Sequence, residues 1–120
     1  MGEIVPVESL EKRSRDFFES VIALLRERNI PRGDSYLEND LEELAVLLRE
    51  KTGRIKTALQ VLDQTDDKTK TLEDLADHIV DVAGYAALCV IWMQVNIDYD
   101  VTEFVWSRLG IARIRPEQPK

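Results

Sequence analysis

Apolar residues recur at helical spacing along this chain of 120 residues, in blocks set apart by short polar or Pro- and Gly-containing stretches. That pattern predicts helices joined by short loops. The first helix is expected from about Glu8 to Asn29, with Leu10, Phe17, Val21, Leu24 and Leu25 on its inner face and Pro31 to Gly33 ending it. A second is expected to begin at Ser35 as N-cap, with Glu38 completing a capping box, and to run to about Asp63, bent near Gly53. Its apolar seam is the most regular in the chain: Leu37, Leu41, Leu44, Leu48, position 51, Ile55, Leu59 and Leu62 follow steps of four and three, and position 51 is Lys. A short fourth helix is expected over Val101 to Leu109, with Asp100 and Glu103 as start signals and Gly110 as its stop.

Between these lies the stretch the chain is organised around, TLEDLADHIVDVAGYAALCVIWMQ, from Thr71 to Gln94, with Thr71 and Asp74 as its capping pattern. At roughly 100° per residue, Asp74, Asp77, Asp81, Gly84, Tyr85, Leu88 and Trp92 share one side, and Leu75, Ile79, Val82, Ala86, Val90 and Met93 the other. A helix that is apolar all round sits inside a bundle. Both its sides are therefore expected to be covered by protein, with Phe17, Phe18 and Trp92 in the core. Aspartates on an inward side must be paired, protonated or bound to a cation.

Composition changes this picture little. The residues are 44% hydrophobic and 32% charged, which is globular. One domain is expected over residues 1–110, long enough to bury a core, followed by a loose basic, Pro-containing tail over 111–120. The longest apolar run, Val82 to Val95, is shorter than the roughly 20 residues a membrane span needs. No leader pattern precedes it, so the expectation is a soluble cytoplasmic protein with no membrane association. The single cysteine, Cys89, excludes an intrachain disulfide and belongs to the core. A net charge of −7 argues against direct binding to nucleic acid. With one histidine and one cysteine a zinc site is not expected, and no Gly-rich phosphate loop is present.

The candidate chemistry lies in two acidic pairs. Asp40 and Glu43 are i, i+3 neighbours beside the second helix's seam, and Asp74 with Asp77, extended by Asp81, lie on the third. If the pairs meet, through an offset of the helices or through a partner chain, clustered carboxylates require a hard cation such as Mg²⁺ or Mn²⁺. Such a site could hold a polyphosphate, with Lys51 and Arg54 on its oxygens. Each residue also has a plainer reading. Asp40 and Glu43 could form a solvated helix face, Asp74 a helix-start charge, and Arg54 a surface residue. Lys51 could neutralise an inward aspartate, Tyr85 could be core, and His78 is read as a bystander to the acidic stripe.

The segment EDLADHIVDVAGYAA resembles the second acidic motif of the all-α nucleoside triphosphate pyrophosphatases, the MazG-like superfamily. There an ExxE pair on one helix and an ExxD pair on a later helix bind Mg²⁺. By that resemblance Asp40 and Glu43 stand for the first pair and Asp74 and Asp77 for the second, although this chain has DxxE and DxxD with a long gap between them. Together, GDSYLE, EKTGRI and DHIVDVAGYA also resemble the related branch called the nucleotide modification associated domain, found in phage and mobile DNA, through Lys51, Arg54, Asp77, Asp81 and Tyr85. The resemblance covers about Asp34 to Leu88.

It implies an all-α bundle of about four helices, completed as a homodimer or homotetramer, that cleaves a (deoxy)nucleoside triphosphate to monophosphate and pyrophosphate. Asp74, Asp77, Asp81 and Glu43 would be metal ligands, Asp40 or Glu43 the general base, and Lys51, Arg54 and Tyr85 substrate contacts. The alternatives are a non-hydrolytic nucleotide-binding relative, or a helical interaction protein whose acidic stripe is a docking surface.

Overall fold

The computed structural model describes residues 6–29 and 40–110. These form four helices, α1 (Val7–Asn29), α2 (Leu41–Gln64), α3 (Thr69–Ile97) and α4 (Val101–Leu109), and no strand. The all-α expectation thus holds for the described residues. Leu37 and the tail at 111–120 lie outside them.

Helix starts follow the side chains that can accept from free backbone N–H groups. α4 begins and ends as expected: Asp100 accepts from the N–H of Thr102 and Glu103, and Gly110 stops it at φ 74°. α2 begins later than expected. Its cap is Asp40, in extended conformation, whose carboxylate accepts from Glu43 N–H at 2.8 Å; Ser35, the expected cap, lies outside the described residues. α3 starts earlier, at Thr69, so Thr71 sits within its first turn and is not the cap. Asp67 instead accepts from Thr69 N–H at 3.1 Å. α3 stops at Asp98, which adopts the left-handed conformation (φ 51°) that aspartate tolerates better than most residues.

α2 and α3, joined by the four residues 65–68, form an antiparallel hairpin that is the main packing unit. Its register is visible from side chains: Lys51 pairs with Asp81, while Arg54 and Ala58, further along α2, share a cleft with the earlier α3 residues His78 and Asp74. Leu44 is the one fully buried large side chain among the described residues, and Leu41, Leu48, Lys51, Ile55 and Leu62 are half-buried. The expected seam breaks at one place. Leu59 is 48% exposed and Ala58 turns inward instead, because a 3.6-residue turn drifts from a strict 3.5-residue repeat. α2 runs through Gly53 as a single helix.

The C-terminal half of α1 crosses the middle of α3 where Leu25 lies over Gly84, at a distance that would leave an added Cβ in ordinary van der Waals contact. A Cβ built there would lie 3.6 Å from Leu25 Cδ2. Val21 is buried on α1's inner face as expected, but Leu10 is exposed.

The expectation that α3 is covered on both sides fails within one chain. Gly84 is its only buried residue, and Ile79, Leu72 and Val95 are exposed. α2 covers one side, and α1 and α4 touch it only locally. Phe18 lies in the open, edge-on to Phe17 at 5.4 Å between centroids, instead of in the core. α3, with 29 residues and a best-window mean hydropathy of 1.5, is by length and composition long and apolar enough to cross a membrane. The core helix of a soluble bundle meets the same criterion.

Candidate functional site

Three helices meet on Asp81. Its Oδ2 lies 2.9 Å from Lys51 Nζ on α2, and its Oδ1 accepts from Arg28 Nη1 on α1 at 3.3 Å. The carboxylate and the lysine are both largely shielded, with 19% and 16% of their side chains exposed. Burial pushes the Asp81 carboxyl up, but the hydrogen bonds and charges of Lys51 and Arg28 outweigh it and hold the group below its usual 3.8. Lys51 therefore does in the fold what its seam position allowed: it neutralises an inward aspartate. Arg28 had no signal in the sequence, because its partner lies 53 residues away.

Because the folded carboxyl is the stronger acid, this junction stabilises the protein fully above the ordinary aspartate range and loses that contribution as pH falls through the lowered value. Asp81→Asn, which strands two cations against a partly buried amide, is expected to cost about 1–2 kcal/mol at pH 7. That corresponds to several degrees in melting temperature. The gap to wild type should narrow steadily in melts run at pH values falling below the ordinary aspartate range; equal melting temperatures at pH 7 would show that the junction carries no stability.

The hairpin register separates the two acidic pairs. Asp40 and Glu43 line an open cleft of about 540 Å³ at the start of α2, with Glu42, Val46 and Leu47. Asp74 lines a different cleft of about 270 Å³ near the closed end of the hairpin, opposite Ala58. Ala58 follows Glu43 by fifteen positions along α2, roughly 20 Å at helical rise. Antiparallel packing without offset is the reason. Among the described residues no three Asp, Glu, His or Cys side chains come together as a metal-binding group.

The smaller cleft joins Arg54, Thr57 and Ala58 of α2 to Thr71, Asp74 and His78 of α3. It thus unites two of the candidate residues, Arg54 and Asp74, with one read as a bystander. Asp74 sits 3.9 Å from Lys70, a loose exposed pair, and Arg54 forms no ion pair among the described residues. His78 Nδ1 is sealed from solvent and has no hydrogen-bond partner, a state that costs of order 1–3 kcal/mol for a polar atom. His78 could have been found from sequence once the register was known, since it follows Asp74 by one turn on the α2-facing side. Asp77 is exposed between Asp74 and Asp81, and Tyr85 is half-buried one turn beyond Asp81. Cys89 is a free, half-buried thiol, pushed up by burial.

Compared with models of known protein families, with curated proteins and with solved structures, the chain matches none.

Proposed function

We propose that this protein is a homo-oligomeric, Mg²⁺-dependent nucleoside triphosphate pyrophosphohydrolase of MazG-like type, working in the cytoplasm, with its phosphate site in the α2–α3 cleft. The observation that carries the reading is that Arg54 and Asp74 line one cleft without pairing with each other. A cation and a carboxylate held apart in this way suit a phosphate chain and its metal. Mg²⁺ takes one or two carboxylates together with substrate phosphates and waters; Asp74 on the cleft wall would supply one, and Asp77, exposed at i+3 outside that lining, a second. When bound, the ion would neutralise phosphate charge and make a water more acidic. Arg54 would hold phosphate oxygens through its guanidinium fork, and Lys51, fixed by Asp81, would offer its remaining ammonium protons nearby. The general-base role of Asp40 or Glu43 falls to a second copy, since a chain's own pair lies at the other end of its hairpin.

Assembly is supported by apolar surface. Phe18, Ile22, Val46, Val95 and Val105 are each more than half exposed, apolar surface that a second copy could cover. Light scattering behind a sizing column is expected to give two or four times the chain mass; a stable monomer would remove this part of the reading.

A second reading, nucleotide binding without hydrolysis, is favoured by one observation. Asp81 is already engaged by Lys51 and Arg28, so the acidic stripe has one carboxylate fewer for a metal. Both readings predict that a nucleoside triphosphate with Mg²⁺ raises the melting temperature by mass action. A panel of canonical and deoxy triphosphates that leaves it unmoved would reject both.

A further inference from the structure

We propose that His78 is a phosphate-contacting residue, its Nε2–H donating to an oxyanion of phosphate or pyrophosphate size seated in the α2–α3 cleft beside Arg54. The proposal rests on the assignment of that cleft to nucleotide phosphates and adds a residue and a tautomer to it.

Three observations converge. His78 lines the cleft while its Nδ1 is shut away from solvent without a partner, so the ring edge left to the cleft is the far one, which carries Nε2. A neutral imidazole bears its proton on one nitrogen. With the proton on Nδ1 that nitrogen would be an orphaned buried donor and Nε2 could only accept; with it on Nε2 the buried nitrogen is an orphaned acceptor and Nε2 can donate to an anion in the cleft, the tautomer the proposal takes. Arg54 lies on the facing helix with no carboxylate partner among the described residues. The hydroxyl-bearing Thr71 lies on the same wall, in the first turn of α3, where the N–H of Thr69 is already taken by the Asp67 carboxylate. At about 270 Å³ the cleft has room for a phosphate or pyrophosphate group.

The chain has a single histidine, so imidazole spectra need no assignment. Two-bond ¹⁵N–¹H correlation on the full-length protein is expected to report the Nε2–H tautomer, and titration with sodium pyrophosphate, with and without Mg²⁺, should move those signals. His78→Leu is expected to weaken pyrophosphate binding about tenfold, the scale of one hydrogen bond to a charged group. His78→Gln, which keeps a donor near the Nε2 position, should recover most of that loss. Pyrophosphate binding that shifts backbone amides but leaves the His78 signals still, or equal affinity in His78→Leu, would overturn the role of His78 and leave the nucleotide reading standing. An Nδ1–H tautomer in the free protein would overturn the donor assignment. Absence of any binding by pyrophosphate or by triphosphates would instead remove the nucleotide reading itself.

Discussion

Asp77→Asn is expected to lower Mg²⁺-dependent pyrophosphate release by at least about 100-fold, since loss even of a residue that only supports a metal ligand can cost that much. The substitution keeps size and shape and removes one charge at an exposed position of α3. The helical circular dichroism and the melting temperature of the metal-free protein should therefore stay within a degree or two of wild type, as is usual for surface changes. Asp81→Asn behaves in the opposite way, costing stability through Lys51 and Arg28. The two neighbouring aspartates are thus separable: one variant loses turnover without stability, the other loses stability first. Full turnover by Asp77→Asn would take that residue out of the site.

Leu44→Ala is expected to be the most damaging single truncation in the hairpin. Leu44 is 1% exposed, and removing most of a buried leucine costs about 2–4 kcal/mol from lost transfer energy and the cavity left behind, roughly 10 °C in a domain of this size. Leu59→Ala is the matched control, because Leu59 is 48% exposed within the chain and its truncation should cost well under half as much. Urea unfolding of both variants at two protein concentrations checks this. A Leu59→Ala penalty that equals that of Leu44→Ala would mark the Leu59 face as covered by a second copy.

The helices were legible because local signals fix them. Asp100 and Gly110 bound α4 as their chemistry requires, and the leucine seam of α2 turns inward almost throughout. Less legible was how much one chain buries. The sequence of α3 is apolar on every side, which says that something must cover it but not whether the cover comes from the same chain; within the chain the cover is partial, with Gly84 alone buried and Leu72, Ile79 and Val95 exposed. The site divided in a similar way. Lys51 in the seam and Asp81 on the facing helix were visible as a possible pair, and they form one. The separation of Asp40 and Glu43 from Asp74 and Asp77 depends on hairpin register, which helical periodicity does not contain. Arg28 and His78 acquire their positions from that same tertiary register, the first through a contact across 53 residues and the second through the cleft opposite Arg54.

The most direct test is product analysis by ³¹P NMR of canonical and deoxynucleoside triphosphates incubated with the protein and Mg²⁺. The account predicts monophosphate and pyrophosphate appearing together in equal amounts, only with metal present and not with Asp77→Asn. Triphosphates left intact across the panel, or cleavage to diphosphate and phosphate, would contradict it.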